Sequence, residues 1–530
     1  MKNLFINNKK KIIYIILTLI FTINYFIHDL FMTWDSTEYI GMSLVIGTSA
    51  LKETWRSIRG LSFPFLLRLF EPLGYQNKYL LLLLTFILYL ILLYTIYKIG
   101  IKLNMYQNKQ TKLIYLIFIL IFIIINPFIF MYYHMLLTEF IIITLNIVFI
   151  YLLSNFIKID IRNNKKDSII HALILCIIIT FLYHAKQSFI GMMLLELLLG
   201  IFLSFLRYFD YKNILFKILT ISLCGIMLIS TNKLWQSYLH NSGVKNVTIS
   251  TANHISSKKL ITGIKKLKEV GDANNIIYYN NEFIKIKTKI IDKSNDPITS
   301  TINIKDEKDK QEIINVLNKN SKYKKFTIFE DENSNIQYVL FTKNNYSITE
   351  QIPIYLKIII NHPVLIINSY IHSYYNVVWT EKYYFFENLD FAKYYYYNGN
   401  NTVSYISPGY EFAISDLNES HKTFLIDKFN LVLSLLIFPL YRINQLLLPI
   451  LFIFSLIKTI ITKNKKYQKL REGFEIITLL YGMAFNCIIS YVIFGALIDR
   501  YLIPSMIPMF IGDIIFIIYI IKFIKTKKSS

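Results

Sequence analysis

Cysteine is scarce in this chain: three residues in 530, Cys176, Cys224 and Cys487, each inside an apolar run. Their number and positions exclude a disulfide framework and any thiolate metal spacing, and read as packing residues within lipid-buried helices. Acidic residues are also in short supply, 34 Asp and Glu against 57 Lys and Arg, for a net charge of +23. That excess is not a nucleic-acid footprint. The wealth of Ile, Asn, Lys, Tyr and Phe matches an AT-rich coding bias, and no aromatic-basic RNA motif occurs. P-loop and Rossmann glycine fingerprints are missing too, which removes the common nucleotide-binding classes. No internal repeat or disordered linker is visible. The basic N-terminus, Met1 to Lys11, leads into an apolar run without a small-residue cleavage site, so it reads as an uncleaved helix.

What the chain does have is apolar length. It is 54% hydrophobic with a mean hydropathy of +0.43, values of a polytopic membrane protein. A crossing helix needs roughly 20 apolar residues. Such runs lie near 11–30, 79–99, 113–131, 137–157, 168–184, 188–206, 214–231, 444–462, 473–495 and 501–522. Basic clusters at Lys9–Lys11, Lys98–Lys112, Lys158–Lys166, Arg207–Lys217, Lys463–Arg471 and Lys522–Lys528 are each separated by two spans. The positive-inside rule then puts all six, and both termini, in the cytoplasm of a cell with an inner (plasma) membrane. Phe429 to Tyr441 would break that alternation as a further span and reads as an interfacial or re-entrant helix.

The fold expected is an all-α polytopic membrane protein of about ten transmembrane helices with a small α/β exoplasmic domain. Residues 1–231 form an N-terminal membrane block whose first outer loop is 31–78. Residues 232–425 form the exoplasmic part and 426–530 the C-terminal membrane block. Within the outer part, Lys325–Phe329 and Gln337–Phe341 predict a hairpin, Ser256–Val270 a helix and Pro353–Trp379 an amphipathic surface segment. Tyr394 to Tyr397 head a tyrosine-rich tract that could stack on sugars or simply belong to an aromatic belt.

The first outer loop carries Trp34-Asp35-Ser36-Thr37-Glu38-Tyr39. Asp35 and Glu38 share a helix face, where one could take a proton from an acceptor hydroxyl and the two could hold a divalent metal. The alternative is a capping box, with Asp35 as N-cap and Glu38 at the third helical position. Arg56 and Arg59 follow and could clamp a phosphate, or else touch lipid headgroups as part of an interfacial helix. In the second turn His134 reads as an interfacial histidine. Glu139, one turn into the fourth span, is a functional candidate or a snorkelling acid. His184 and Lys186 occupy the third turn, where a lysine outside suggests a phosphate partner or, again, snorkelling. The last turn holds Asp499, Arg500, Tyr501 and Pro504. There Asp499 and Arg500 could simply neutralise one another.

Taken in order, Asp35 to Tyr39, Arg59-Gly60-Leu61-Ser62-Phe63-Pro64, Leu136-Leu137-Thr138-Glu139, the turn at 184–186 and Arg500-Tyr501-Leu502-Ile503-Pro504 resemble the GT-C superfamily of integral-membrane glycosyltransferases. That group includes protein O-mannosyltransferases and aminoarabinose transferases. The resemblance covers both membrane blocks and leaves 232–425 out. It implies a polyprenyl-phosphate-linked sugar donor, and an envelope glycan, lipid or protein as acceptor on the exoplasmic face. Asp35 would be the base, with Glu38 beside it, and Glu139 a second acid positioning a metal or the acceptor. Arg56, Arg59, His184, Lys186, Arg500 and Tyr501 would bind the substrates. The sequence departs from the family pattern twice, since Glu38 is three residues from Asp35 rather than adjacent and Glu139 lies deeper than the usual second-loop acid. A divalent ion is the single cofactor implied; membrane lipids are partners and nucleic acid is not. The rival readings are an envelope polysaccharide polymerase and, because no repeat is seen and acids cluster at helix ends, less favourably a transporter or lipid flippase.

Overall fold

The computed structural model describes residues 18–19, 21–23, 25–26, 34–51, 60–70, 78–134, 136–162, 165–186, 190–207, 210–243, 276–279, 282–285, 371, 424–462, 468–494 and 503–528. The chain divides into two compact units. One comprises Met1–Lys245, Tyr383–Cys487 and Asp499–Ser530, and the other Asn246–Lys382 and Ile488–Ile498.

The first unit is helical. Its elements are α1 (Trp34–Val45), α2 (Ser62–Phe70), α3 (Lys78–Lys102), α4 (Lys109–Ile119), α5 (Pro127–Tyr133), α6 (Thr138–Lys158), α7 (Lys165–Ala185), α8 (Ile190–Arg207), α9 (Tyr211–Asn241), α10 (Phe424–Ile461), α11 (Gln468–Phe494) and α12 (Ile503–Lys528). Among the described residues seven helices are long and apolar enough to cross a membrane: Leu80–Lys102, Thr138–Lys158, Lys165–Ala185, Tyr211–Asn241, Pro439–Ile461, Leu470–Ile489 and Ile503–Ile521. The protein is therefore a multi-pass membrane protein. Its outward faces agree: Leu83, Ile87, Leu90 and Tyr94 on α3, and Ile450, Ile453, Ile457 and Ile461 on α10, are exposed at helical spacing. Apolar stripes of that size belong against lipid rather than water.

The central helix is α6, which packs against α3, α7, α8 and α12. Its sequence explains the position. The run from Thr138 to Thr144 is buried on every side, so it has no lipid face to offer, and a helix apolar all round belongs in the middle of a bundle.

Three further expected spans are not among these seven. The run at 11–30 falls mostly outside the described residues. The run at 113–131 is broken. After α4, capped by the Asn108 side chain accepting from Gln110 N, residues Leu120–Ile124 widen into a π turn and α5 restarts at Pro127. Proline has no N–H to give at that point, and its fixed φ suits a first helical position. The carbonyls released by the π turn are met by Tyr89 on α3, whose hydroxyl donates to Ile123 O at 2.9 Å and Ile124 O at 3.3 Å. In lipid such carbonyls need a partner from a neighbouring helix. The third, at 188–206, is α8, 18 residues long.

Residues 429–441, expected as a separate interfacial or re-entrant helix, are continuous with the following span in the 38-residue α10. Pro439 and Pro449 lie inside it without ending it. The cysteines sit where packing residues would. All three are buried and free, but Cys176 on α7 and Cys224 on α9 bring their sulfurs to 2.8 Å. Spacing in sequence could not reveal a pairing made across two helices.

At the Lys158 end of the bundle an ion network joins three helices. Glu472 on α11 takes Lys158 at 2.8 Å and Arg207 at 3.2 Å, while Glu475 takes Arg207 at 2.9 Å and Arg471 at 3.1 Å. Three of the basic clusters read from the sequence therefore share one end. In the loop after α6, Asp160 accepts from Arg162 and from Asn213 of α9. The Arg162 guanidinium holds the Asp160 carboxyl well below the usual carboxylate range.

The second unit takes in the end of α11 from Ile488 onward and an antiparallel hairpin of β1 (Ile276–Tyr279) and β2 (Glu282–Lys285), with Ile277 opposite Ile284. The expected hairpin at 325–341, the helix at 256–270, the segment at 353–379 and the tyrosine tract lie outside the described residues.

Candidate functional site

The expected site residues that the structure describes gather at the Glu139 end of α6. Glu139 sits in the first turn of α6, 1% exposed. Its Oε1 receives Lys186 Nζ at 2.9 Å, and Thr138 Oγ1 donates to Oε2 at 3.3 Å. The two residues come from neighbouring antiparallel helices: Lys186 directly follows α7, and Glu139 opens α6. Neither snorkels. Burying such a pair costs both partners hydration, which their mutual contact offsets. The N-terminal end of α6 adds its positive dipole beneath the carboxylate.

His184 stands beside them on α7 and is buried. Its Nε2 lies 3.0 Å from Thr231 Oγ1 of α9, and the Thr231 hydroxyl is itself directed to Met227 O at 2.8 Å. The imidazole is thus the donor to the threonine oxygen, which fixes the proton on Nε2 and leaves Nδ1 as a bare acceptor. That Nδ1 is buried and has no hydrogen-bond partner. A buried acceptor with no donor is a costly arrangement.

The first loop closes on this end of α7. Ser62 Oγ, at the start of α2, donates to Phe181 O at 2.7 Å. Gly60 presses against the α7 terminus so tightly that a Cβ there would meet the His184 carbonyl oxygen at 2.0 Å. This is the physical reason for the glycine in the Arg59-Gly60-Leu61-Ser62 sequence. From α2 the packing passes to α1 through aromatic rings: Tyr39 of α1 meets Phe63 at 5.0 Å, and Phe63 meets Phe140 of α6 at 5.5 Å. Phe140 is the residue after Glu139, and Tyr39 the residue after Glu38. A ring-to-ring relay therefore ties the acidic helix of the first loop to the acid of the second turn.

Helix α1 begins at Trp34, so Asp35 lies inside its first turn, whereas an N-cap at Asp35 requires a helix that begins at Ser36. Asp35 and Glu38 remain three apart on this helix, as expected. Their side chains, together with Arg56, Arg59, Arg500 and Tyr501, lie outside what is described.

His134 is held within the protein. It is fully buried, with Nδ1 2.9 Å from Phe130 O and Nε2 2.9 Å from Tyr25 O. Both nitrogens face backbone oxygens, so the ring serves as a tie between α5 and the first apolar run, with no nitrogen left for a metal. Among the described residues no group of three or more His, Cys, Asp or Glu could hold a metal ion.

The sequence reading missed two acids. Glu196 on α8 and Asp513 on α12 stand inside the runs Leu194-Leu195-Glu196-Leu197-Leu198 and Ile511-Gly512-Asp513-Ile514-Ile515. An ionisable residue in such a run is itself the signal, because it is expensive there unless it serves a purpose. Asp513 is tied by Tyr481 Oη, donating to Oδ1 at 2.9 Å, and by Asn444 Nδ2, donating to Oδ2.

No protein-family model, curated protein or solved structure matches this chain.

Proposed function

We propose that this chain is a GT-C-type glycosyltransferase of about ten membrane crossings. It moves a sugar from a polyprenyl-phosphate carrier to an envelope glycan, lipid or protein on the exoplasmic face of the inner membrane, with both termini cytoplasmic and residues 232–425 as a small α/β outer part. The observation that carries the reading is the Tyr39–Phe63–Phe140 relay, which draws the acid-bearing α1 to the end of α6 where Glu139, Lys186 and His184 meet. In this reading the acceptor hydroxyl oxygen attacks the anomeric carbon, the bond from that carbon to the phosphate oxygen breaks, and the hydroxyl proton passes to Asp35. Polyprenyl phosphate leaves, and a single displacement inverts the anomeric centre.

Lys186 would stabilise the departing phosphate by exchanging Glu139 for it, a transfer between two anions in a low-dielectric pocket where each contact is stronger than in water. Arg56, Arg59, Arg500 and Tyr501 would complete donor binding, with Glu38 supporting Asp35. A divalent ion would fall to Asp35 and Glu139. The Glu139 carboxylate is held by Lys186, so no step is routed through the ion.

The deciding experiment is lipid-linked sugar analysis in cells in which Asp35→Asn replaces the natural chain. Accumulated carrier-bound sugar supports the reading. Unaltered transfer with normal amounts of protein refutes the role of Asp35.

A second reading, transport or lipid flipping, is favoured by Glu196 and Asp513, acids set well inside helices rather than at their ends. Purified protein in liposomes separates the two: a transferase joins labelled sugar to an acceptor, whereas a flippase moves the intact carrier between leaflets.

A further inference from the structure

Glu196 differs from every other described acid of the bundle. It is fully buried, and it has no cationic partner among the described salt bridges. Its Oε2 accepts from Asn486 Nδ2 of α11 at 3.1 Å, while its Oε1 is buried with no hydrogen-bond partner. Asn146 of α6 is fully buried too, and its Oδ1 is likewise without a partner. The Asn146 Nδ2 reaches Cys487 Sγ at 3.9 Å, and Cys487 is within electrostatic reach of Glu196. Gly482, one turn before Asn486, leaves room for the carboxyl: a Cβ there would lie 3.0 Å from Oε2.

Two orphan oxygens, one carboxyl and one amide, thus belong to side chains that reach adjacent residues of α11, Glu196 at Asn486 and Asn146 at Cys487. Both are acceptors, so neither can satisfy the other. In hydrocarbon an unpaired carboxylate is too costly to persist, and an oxygen set of this kind suits either a proton or a hard cation. We propose that Glu196, Asn146 and Asn486 form a site for one small monovalent cation, a proton or a sodium ion, buried between α8, α6 and α11. A proton would turn the carboxyl into the donor the cluster lacks. A sodium ion would take the Glu196 and Asn146 oxygens as ligands.

The site sits on the same face of α6 as Glu139, seven residues and about 10 Å further along. From α11 the titratable neighbour is the Cys487 thiol. Along α6 the nearest charged groups are Glu139 and the Lys186 that holds it. The inference stands apart from the glycosyltransferase reading, since it rests on none of the residues assigned to sugar transfer.

The test uses the full chain in membranes, treated with a hydrophobic carbodiimide, which reacts with protonated carboxyls in lipid. Labelling is read by peptide mass spectrometry, with ion-paired Glu139 as the unreactive internal reference. Glu196 should label, and labelling should be lost as the pH is raised. Protection by sodium chloride, but not by choline chloride, identifies sodium as the occupant; pH-dependent labelling indifferent to sodium identifies the proton. No labelling of Glu196 in the folded protein overturns the proposal, as does labelling that neither pH nor sodium alters, the mark of an acid that never exchanges. Asn146→Leu removes one oxygen without touching the carboxyl. It should move the pH at which labelling is lost or weaken sodium protection, and no change in either also overturns the site.

Discussion

Lys186 Nζ lies 2.9 Å from Glu139 Oε1, a pair made by residues 47 apart in sequence at the meeting point of two antiparallel helices. Such a pair contributes less through mutual attraction than it would cost if halved. Removing one member of a buried ion pair leaves a charge without solvation, at about 3–5 kcal/mol. Lys186→Met should therefore destabilise the protein more than the double change Lys186→Met with Glu139→Gln. Thermal unfolding in detergent of the two single variants and the double variant gives the comparison. If the double variant is the least stable of the three, the pair is not the isolated unit described.

Gly60→Ala should loosen the first loop from α7. The added methyl would meet the His184 carbonyl at 2.0 Å, and a backbone oxygen cannot swing aside as a side chain can. Overpacking of this kind costs about 1–3 kcal/mol. The expected outcome is faster proteolysis within residues 46–61, while the helices at the Lys158 end keep their protection. Equal proteolysis in the two proteins would mean that Gly60 is not pressed against α7.

The Asp160 carboxyl gives a pH signature. Its folded value is depressed by Arg162, with Asn213 assisting, so ionised Asp160 stabilises the fold. The sign follows directly: the stabilisation is complete above the ordinary carboxylate value of the unfolded chain, about 4, and is lost as the pH falls below it toward the folded value. The melting temperature of Asp160→Asn should thus fall below that of the natural protein at neutral pH, and the difference should shrink under acid conditions. A difference constant with pH would count against the pairing.

Cys176 and Cys224 test the register of α7 on α9. With their sulfurs 2.8 Å apart, a membrane-permeant oxidant should join them within the chain, visible as a cross-linked peptide pair. Cys487 should remain unlinked. A Cys487-containing dimer of peptides, or no cross-link at all, would indicate a different helix register.

Much of the bundle was legible because it rests on apolar length alone. Seven runs predicted from hydropathy coincide with crossing helices, though the one at 214–231 continues ten residues further, to Asn241, and α6 stands out by its burial on every side at its start. Where legibility failed, the cause was a contact between distant segments. The break at 120–127 depends on Tyr89 donating to carbonyls that the π turn sets free, and nothing in the local run announces that partner. Continuity through 429–441 ran against expectation because Arg442 and Gln445 interrupt the apolar run and a further span would break the charge alternation, yet α10 carries both residues within one helix. At the candidate site, Glu139 and Lys186 could be named as polar groups at neighbouring turns, but their pairing could not. Glu196 was within reach of the sequence, four apolar residues on its N-terminal side and three on its C-terminal side. It went unnoticed because attention to helix ends favoured acids that flank the membrane over one inside it.

The length of α10 has a consequence for what surrounds it. Its 38 residues make a rod of about 57 Å, whereas the hydrocarbon layer is about 30 Å thick. Ordinary tilting absorbs only part of that surplus. With Pro439–Ile461 occupying the oily layer, some four turns of the same rod stand clear of it, like a mast stepped in the hull and rising above the deck. Any force applied at the Phe424 tip would be felt as leverage at Asn444, and through it at Asp513, in the interior of the membrane.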